Sequence, residues 1–492
     1  MSIIQKKPFK FVTTTEKTKN LPKLGEKKAF PLFSYSVSTD IKKSPITSQL
    51  NQLKFKYKNI TIDKEKAKRN YLSNRVVKSK DGINIIDYDE RIKRDINEDI
   101  NYKNSFIDYS YDSIKNCSPF FITLTLGGDY HLKTKGQNNK ELQGLEGKEL
   151  AKAISFLHYK GYSKIRAFSP TLRGNRIFRN NQLTTQNRAS ITALEPHKDW
   201  TPHEHQLHFI DNTYTLGFIK AVVNTVLKLG LGRTQIVATK RDLEEIKKHY
   251  NLKEKVTKDY KQRYIKEYHL ENTPVFFQEF IIKDGNELKS VSNYLSSYVE
   301  TKHVLDDNKQ DKKAKKQILE YHGYAYYLAH LKDMYEPKKE YSKYHKKIRR
   351  INYTQQLISR SVYKRVMTKH FIQHLKDVNE YEPKNMYYKA TTMLKRNELK
   401  IYKYQEVFAR REDNSPKYEK NNVNYYNFTY KGYDELVDCK SYDIYKVDPQ
   451  TKKFVLEHKS KQIDLAKDDF IIIEYKLERN ANKYINESAL AF

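Results

Sequence analysis

Residues 194–207 read Leu-Glu-Pro-His-Lys-Asp-Trp-Thr-Pro-His-Glu-His-Gln-Leu, and two histidines one residue apart, His203 and His205, lie near the end of this stretch. Side chains alternate between the two faces of a β-strand. If the stretch is extended, both imidazoles therefore lie on one face and Glu204 lies on the other. Two imidazoles on one face of a strand are able to chelate a single divalent ion.

The segment before these histidines predicts a hairpin. Asp-Trp-Thr-Pro separates two β-prone runs, residues 190–194 and 206–210, and a short polar connection of this kind is typical of a turn between strands. The hairpin would bring Glu195 beside His203 and His205. Two imidazoles and one carboxylate with open coordination positions suit Mg²⁺ or Mn²⁺ acting as a Lewis acid on a phosphate. We therefore predict a metal centre at this end of the hairpin.

The pattern Glu-Pro-His-x-Asp-x-Thr-Pro-His-x-His resembles the HUH motif of rolling-circle replication endonucleases, and it is most similar to the bacteriophage replication gene A family. The family usually has a bulky apolar residue between the two metal histidines, where this chain has Glu204. The resemblance implies an α+β fold, in which a central antiparallel sheet has helices on its flanks. Eight positions fit the family pattern: Glu195, Pro196, His197, Asp199, Thr201, Pro202, His203 and His205.

A second segment fits the first motif of that family, which is a strand ending in a Thr-x-Thr run before a loop. Residues 119–126 are rich in β-prone side chains and are followed by a Gly-Gly turn. Thr123 and Thr125 share one face of this strand. Taken alone, the segment is more typical of an ordinary buried strand that ends at a Gly-Gly turn. Its place upstream of the histidine hairpin favours the functional interpretation.

The third family motif carries the nucleophile, and we assign it to Tyr294 and Tyr298. Residues four apart lie on one face of a helix, about one turn from each other, so both hydroxyls would address the same phosphate. Family members often carry lysines at the positions that Ser297 and Thr301 occupy here. Lys302 follows one residue later, which is a rotation of about 100° on a helix. It is our candidate for a contact with the scissile phosphate.

The Tyr-x-x-x-Tyr spacing alone identifies nothing, because the chain has 40 tyrosines and repeats the spacing elsewhere. Tyr260, Tyr264 and Tyr268 show it, but they lie in a Lys/Glu-rich run that we interpret as a solvated helix. The family places its tyrosine helix after a β-prone stretch and a polar loop. Residues 275–286 supply that context directly before Tyr294.

The resemblance implies a specific reaction. A tyrosine attacks a phosphodiester of single-stranded or supercoiled origin DNA, forming a 5′-phosphotyrosine bond and a free 3′-hydroxyl that a host polymerase extends. A second tyrosine allows the regenerated origin to be cut while the first end is still held. No Gly-x-x-x-x-Gly-Lys-Ser/Thr phosphate loop occurs in the chain. A host helicase is therefore the expected partner for strand separation.

Composition is consistent with a polyanionic partner. The net charge is +33 with a pI of about 9.6, although Lys, Asn, Ile and Tyr are abundant together and compositional drift also produces such a charge. With 38% hydrophobic residues and a mean hydropathy of −0.87, we expect a modest core. Two cysteines, Cys117 and Cys439, provide no disulfide framework. We find no signal peptide and no apolar run long enough for a membrane span, and we expect a location in the cytoplasm of a bacterial host.

Changes in composition along the chain suggest five regions. The first carries 20 lysines and arginines against 5 acidic residues, which is typical of a disordered arm. All three motifs fall in the third. The predicted regions are a basic flexible arm at 1–80, a helical lead-in at 81–115, an HUH endonuclease domain at 116–305, a basic helical region at 306–420 and a small β-rich region at 421–492.

Two alternatives remain open at this point. A relaxase or single-strand transposase would share the hairpin and the tyrosine helix, and the sequence separates these from a replication endonuclease poorly. From a different class, the chain would be an initiator that binds origin DNA without cutting it. Glu204 and the displaced Lys302 are the features that favour this second alternative.

Overall fold

The structure is a computed structural model, and its description covers most of the chain between residues 44 and 488. The described residues are 44–79, 82–85, 88–134, 137–258, 264–280, 312–336, 348, 350–354, 356–406, 409–410, 416–417, 423–430, 433–438, 443–448, 450–458, 470–475 and 487–488.

Within these residues the chain alternates between helices and strands. The helices are α1 Pro45–Ser73, α2 Tyr88–Ser113, α3 Gly147–Arg173, α4 Arg176–Arg179, α5 Thr215–Leu229, α6 Lys240–His249, α7 Lys312–Tyr335, α8 Arg360–Val366, α9 Lys369–Asp377 and α10 Met386–Lys395. The strands are β1 Arg75–Ser79, β2 Gly82–Ile85, β3 Cys117–Leu124, β4 Lys133–Thr134, β5 Gln137–Asn138, β6 Arg188–Pro196, β7 Pro202–Asp211, β8 Thr234–Ala238, β9 Leu252–Lys258, β10 Tyr264–Leu270, β11 Val275–Glu279, β12 Ile351–Tyr353, β13 Leu399–Glu406, β14 Ala409–Arg410, β15 Pro416–Lys417, β16 Val423–Tyr430, β17 Tyr433–Asp438, β18 Asp443–Val447, β19 Phe454–His458, β20 Phe470–Tyr475 and β21 Glu487–Ser488.

The central element is an eight-stranded sheet with the order β12-β6-β7-β3-β8-β11-β10-β9. All neighbouring strands in it run antiparallel except β8 and β11, which are parallel. The expected α+β class is therefore confirmed in its general form, but the sheet is mixed and not purely antiparallel. A β-rich C-terminal part is also present, as a five-stranded sheet with the order β17-β16-β13-β20-β21.

Helices cover both faces of the central sheet, because alternate side chains of each buried strand are apolar on both sides. On one face Phe120 and Ile122 of β3 pack with residues of α3, α5 and α7. On the other face Phe121 of β3 and Leu207 of β7 pack with residues of α2 and of helices α8 to α10. His203 and His205 alternate with Glu204 along β7, so they share the second face with Leu207.

The predicted hairpin is present. β6 and β7 pair antiparallel along their full lengths, with Glu195 opposite His203 and Ala193 opposite His205. The strand predicted at 119–126 is β3, which pairs with β7 and places Thr123 opposite His205. Helix α5 follows the hairpin and ends at Gly230, whose left-handed backbone (φ 53°) favours glycine.

Part of the predicted flexible arm is instead ordered. Residues 45–73 form α1, in which Ile46, Leu50 and Tyr57 are buried against the core shared with α7. β1 follows and pairs with both β2 and β18, so segments near the two ends of the chain share one sheet. The apolar residues of α1 are sparse, and the residues that they contact are distant in sequence. Local composition therefore predicts a disordered segment, although contacts with distant parts of the chain stabilise a helix.

Two further local predictions are wrong. The run containing Tyr264 and Tyr268 is not a solvated helix, because both residues belong to β10, which pairs with β9 and β11. Residues 351–353, expected to be helical, form the short edge strand β12 beside β6. Both segments lie at or near a sheet edge. In β10 the exposed Tyr264 and Lys266 obscure the period-two pattern, and β12 has only three residues, which are too few to show one. None of the helices that the structure describes has an apolar span sufficient to traverse a bilayer.

Candidate metal centre

The three predicted metal ligands lie together at one end of the hairpin. The carboxylate Oε2 of Glu195 is 3.3 Å from Nε2 of His205, and only 12% and 10% of these two side chains are exposed. The ring of His203 lies 4.4 Å from the ring of His205, centre to centre. Strand pairing places these groups, since Glu195 on β6 is the direct partner of His203 on β7.

The neighbouring strand β3 orients His205. The hydroxyl of Thr123 lies 3.1 Å from Nδ1 of His205, and the ring of Phe121 stacks on the imidazole with the ring centres 5.4 Å apart. Because Thr123 occupies Nδ1, the other nitrogen of the ring faces Glu195. The first sequence motif thus lies beside the histidine hairpin, as its position in the chain predicted. Thr125 bonds differently, since its hydroxyl donates to the carbonyl of Arg233.

The environment favours the neutral form of His203 and His197, and the neutral imidazole is the form that binds a metal ion. Burial lowers the pKa of His203 to about 2, and the neighbouring His205, His197 and His131 act in the same direction. Burial, followed by the proximity of His131, also lowers the pKa of His197. The ring of His197 is stacked on that of His203, with centres 4.5 Å apart and planes 11° from parallel.

Two residues far along the chain interact with Glu195, Tyr321 by a hydrogen bond and Arg350 through its charge. Tyr321 on α7 forms a side-chain hydrogen bond with Glu195, and burial followed by this carboxylate raises the pKa of the Tyr321 phenol. The guanidinium of Arg350 lies 4.6 Å above the Tyr321 ring, and its backbone carbonyl accepts a hydrogen bond from Leu194. Burial lowers the pKa of Arg350 to about 10, while Glu195 and Tyr321 act in the opposite direction. Neither residue was predicted from sequence.

Asp199 in the turn of the hairpin forms a second polar pair with His131, which lies in the segment after β3. Nδ1 of His131 lies 3.1 Å from Oδ2 of Asp199, which also accepts a bond from the backbone of Leu132. The Asp199 hydrogen bond raises the pKa of His131 against the effect of burial. Burial acts to raise the pKa of Asp199, but the bonds from His131 and Thr201 and the charge of His131 outweigh it, and the pKa lies well below its usual value.

Trp200 fixes this turn to the rest of the molecule. Its side chain is fully buried, and its backbone is left-handed (φ 65°), a conformation that costs a non-glycine residue roughly 1–2 kcal/mol. The indole packs against Tyr57 of α1 and against Tyr324 and Tyr327 of α7, with ring centres 5.1–6.4 Å apart. Aromatic packing by these two helices therefore holds the residue that sets the backbone path between Glu195 and His203.

Glu204 lies on the opposite face from the predicted metal ligands, as expected from strand alternation. Its carboxylate accepts a hydrogen bond from the Gln206 amide, whose oxygen faces Nε2 of His208 at 2.7 Å. Burial raises the pKa of Glu204 to about 7, and the Gln206 bond opposes this only in part. Glu204, where this chain departs from the family pattern, therefore belongs with Gln206 and His208 to a row of polar side chains beneath α3. It does not belong to the candidate metal centre.

The donor chemistry fits a divalent ion, although the ligands are not yet arranged around one. Within the described part of the chain, no three His, Cys, Asp or Glu side chains are already placed to hold one metal ion. Three buried atoms of the cluster nevertheless have no hydrogen-bond partner among the described residues: Oε1 of Glu195, Nε2 of His197 and Nε2 of His203. An unsatisfied buried polar atom costs about 1–3 kcal/mol. Carboxylate oxygen and imidazole nitrogen are both donors to divalent ions.

The predicted nucleophiles cannot be placed. Tyr294, Tyr298 and Lys302 lie outside the described residues. Of the competing tyrosines, Tyr264 and Tyr268 lie on β10, four strands away from β7 in the sheet order. At about 4.8 Å per strand this separation is roughly 19 Å, which is too far for either hydroxyl to reach an ion at the histidine pair.

The basic helical region predicted at 306–420 has charges that are partly neutralised within the fold. In α8, Arg360 forms an ion pair with Asp99 of α2. Lys364 forms ion pairs with Asp95, at 3.5 Å, and with Glu98, at 2.8 Å. These basic side chains therefore hold α8 against α2. Their proximity in sequence to other basic residues does not make a phosphate-binding face.

Comparison with known proteins gives no match, whether to family models, to curated proteins or to solved structures.

Proposed function

We propose that this chain is a metal-dependent endonuclease that nicks single-stranded DNA through a tyrosine nucleophile and so initiates rolling-circle replication. The observation that carries the proposal is the convergence of Glu195, His203 and His205 at one end of a hairpin, with buried donor atoms that lack partners among the described residues. The resemblance of this hairpin to the HUH motif supplies the reaction class.

The position of each donor group in the structure suggests its role in the proposed reaction. Glu195, His203 and His205 would hold one Mg²⁺ or Mn²⁺ ion, which supplies positive charge to a phosphodiester when it is bound. Thr123 and Phe121 would keep the His205 ring in the orientation that faces this site. Tyr321 would fix the Glu195 carboxylate, which otherwise has freedom to rotate. A phosphate would approach past His203, the most exposed of the three ligands.

The reaction balances with two proton transfers. The hydroxyl of Tyr294 or Tyr298 loses its proton as its oxygen bonds to phosphorus. The bond between phosphorus and the 3′-oxygen breaks, and that oxygen gains a proton to become a free 3′-hydroxyl. The downstream DNA stays attached to the protein through its 5′-phosphate. Lys302 is proposed to contact the scissile phosphate. The remaining partners would be origin DNA and the polymerase and helicase of a bacterial host, in whose cytoplasm the enzyme would act.

A covalent adduct tests the proposal directly. Purified protein is incubated with Mn²⁺ and a pool of random-sequence single-stranded DNA that is labelled at the 3′ end, because the proposed bond retains the downstream fragment. We expect a labelled band on a denaturing gel that migrates above the 58.6 kDa protein by the mass of the attached DNA fragment. It should disappear in the Tyr294→Phe, Tyr298→Phe double variant and in His203→Ala.

A matched control removes two tyrosines with the same spacing at a distant place. The Tyr264→Phe, Tyr268→Phe double variant should form the adduct as the unmodified protein does. If the adduct persists without Tyr294 and Tyr298, those residues are not the nucleophiles, and Tyr260 and Tyr321 are then tested singly. DNA binding without an adduct in Mg²⁺, Mn²⁺ or Co²⁺ would instead favour the non-cleaving initiator.

A further inference from the structure

Strand β19 carries three consecutive apolar residues that face water. Phe454, Val455 and Leu456 are 51%, 54% and 46% exposed. Because side chains alternate along a strand, Val455 lies on one face of the sheet and the other two lie on the opposite face. Single exposed apolar residues are common on protein surfaces, whereas contiguous exposed patches usually mark interaction sites. Both faces of β19 therefore belong to a candidate interaction surface.

The position of β19 in its sheet indicates how a partner would bind. Among the strands that the structure describes, β19 pairs only with β18 and lies at the end of the order β19-β18-β1-β2. The outer side of an edge strand presents backbone N–H and C=O groups with which a further strand is able to pair. A strand added there would also place side chains beside Val455 on one face and beside Phe454 and Leu456 on the other. Strand addition therefore covers all three residues, whereas packing on a single face does not.

The central sheet shows a protected edge for comparison. Its last strand is β9, in which Val256 is 55% exposed and so resembles Val455. Charged side chains on an edge strand oppose pairing with another chain. β19 has no charged residue between Phe454 and Leu456, so its edge lacks this protection over three positions. In β9, by contrast, four of the seven residues are charged: Lys253, Glu254, Lys255 and Lys258.

The sequence of β19 is complementary to itself when two copies pair antiparallel. A two-fold axis at Val455 places the two Val455 residues opposite each other and places Phe454 opposite Leu456 of the second copy. It also places Lys453 opposite Glu457 of the second copy, and opposite charges stabilise paired strands. An axis at Phe454 would instead set Val455 against Lys453, and an axis at Leu456 would set Val455 against Glu457. Over residues 453–457, only the axis at Val455 pairs apolar residues with each other and each charge with its opposite.

The charged end of this pairing is already ordered. The Arg75 guanidinium of β1 donates two hydrogen bonds, 2.6 and 2.7 Å long, to the Glu457 carboxylate. The Glu457 side chain is still 37% exposed, so it is able to accept a second cation. The register of β19 against β18 shifts only between Ile444 and Tyr445, which leaves the pairing of residues 454–456 regular. The apolar part of the edge is therefore straight enough to receive another strand.

We propose that β19 is a dimer interface, at which it pairs antiparallel with β19 of a second copy about a two-fold axis at Val455. The two four-stranded sheets would then join into one sheet of eight strands. The inference goes beyond the proposed function and does not depend on the metal centre. A contact of one short strand from each copy is small beside the roughly 1,200–2,000 Å² of a stable interface. The dimer is therefore weak and in equilibrium with the monomer at micromolar concentrations.

Sedimentation velocity of the whole chain, from nanomolar to high micromolar concentration, measures this equilibrium. We expect the unmodified chain to shift from monomer to dimer as the concentration rises. Val455→Lys sets two lysines opposite each other at the axis, so the dimer dissociation constant should rise at least about tenfold. Val256→Lys makes the same change at an equally exposed valine of the edge strand β9, and it should dimerise normally. A monomer at every concentration, or a dimer that Val455→Lys leaves unchanged, would overturn the proposal.

Hydrogen exchange locates the interface in the unmodified chain, so it does not depend on the folding of a variant. Pairing with a second β19 gives hydrogen-bond acceptors to the amides on the outer side of the strand. Peptides that contain residues 454–456 should therefore exchange more slowly as the protein concentration rises, while peptides from β9 should not change. Protection confined to another surface would show that the dimer forms elsewhere. Full protection of β19 in the monomer would show that one chain covers its own edge, which also contradicts the proposal.

Discussion

Oε2 of Glu195 lies 3.3 Å from Nε2 of His205, across two paired strands and almost out of contact with water. The carboxylate also accepts a hydrogen bond from Tyr321 and lies near the buried Arg350. The Glu195 side chain therefore lies between the imidazole of His205 on one side and the phenol of Tyr321 and guanidinium of Arg350 on the other. In this position the Glu195 carboxylate is able to bind a cation beside the paired ends of β6 and β7.

The first prediction concerns the carboxylate of Glu195. Glu195→Gln preserves the size of the side chain but removes the charge and one metal donor, so we expect the affinity for Mn²⁺ to fall by at least about tenfold. Titration calorimetry of the purified variant measures the change. Glu244→Gln, at an exposed position on α6, is the control and should bind Mn²⁺ normally. An unchanged affinity in Glu195→Gln would remove this residue from the ligand set.

The second prediction separates a supporting residue from a ligand. Tyr321→Phe removes only the hydroxyl that bonds the Glu195 carboxylate. A lost supporting bond of this kind typically lowers metal affinity 10–100-fold. Titration with Mn²⁺ should show this loss, and the pulsed electron paramagnetic resonance spectrum of bound Mn²⁺ should still report the same number of imidazole nitrogens. Tyr326→Phe is the matched control on the same helix, since its ring contacts Lys64 and not the metal centre. A reduced nitrogen count in Tyr321→Phe would show that the histidine geometry depends on this hydroxyl, contrary to our prediction.

The parts of the site that could be predicted from sequence are those set by neighbouring residues in one hairpin. Period-two alternation placed His203 and His205 on one face, and the polar turn placed Glu195 beside them. Strand β3 could be predicted because its β-prone run is short, apolar and followed by a Gly-Gly turn. All of these inferences concern residues within about ten positions of each other in one strand or hairpin. Over such a short distance, backbone geometry alone determines the face of the strand on which each side chain lies.

The remaining parts depend on contacts between residues that are distant in sequence. Tyr321 and Arg350 reach Glu195 from more than 120 positions further along the chain, and no local pattern predicts such contacts. The strand β10, which lies next to the edge strand β9, was missed because its mixture of Lys, Glu and Tyr residues is also typical of a solvated helix. His197 was identified in the motif, but only the structure shows its ring stacked on His203.

The third prediction concerns Trp200, the only tryptophan in the chain. Removing a fully buried aromatic side chain typically costs 3–5 kcal/mol, so Trp200→Ala should lower the free energy of unfolding by about that amount. Urea unfolding followed by far-ultraviolet circular dichroism measures it. Trp200→Phe retains an aromatic ring among Tyr57, Tyr324 and Tyr327, and it should lose less stability. Equal losses in the two variants would show that aromatic packing does not hold this turn.

The same residue provides a fluorescence signal for the metal centre. Trp200 lies three residues from His203 and three from His197, and its side chain is shielded from water. Addition of Co²⁺ should therefore quench tryptophan emission in the unmodified chain, because a nearby transition-metal ion accepts its excitation energy. The quenching should require far more Co²⁺ in the His203→Ala variant. Quenching at the same Co²⁺ concentration in both proteins would place the bound ion away from the hairpin.

The last prediction concerns Glu204, the acidic residue between His203 and His205. Burial raises the pKa of Glu204 from 4.5 to about 7 in the folded chain, whereas in the unfolded chain the group is exposed and keeps its ordinary value. Between these two values the unfolded state releases its proton while the folded state retains it. Stability should therefore be fully present below pH 4.5 and fall as the pH rises to about 7, with a total loss of about 3 kcal/mol.

Glu204→Gln removes the ionisation, so it should be more stable than the unmodified chain at pH 8 and equally stable at pH 4.5. Urea unfolding at several pH values, with Glu244→Gln as an exposed control, measures the difference. If the advantage of Glu204→Gln is the same at pH 4.5 and pH 8, the glutamate is not held protonated by its surroundings, and its place beneath α3 is more hydrated than its burial indicates.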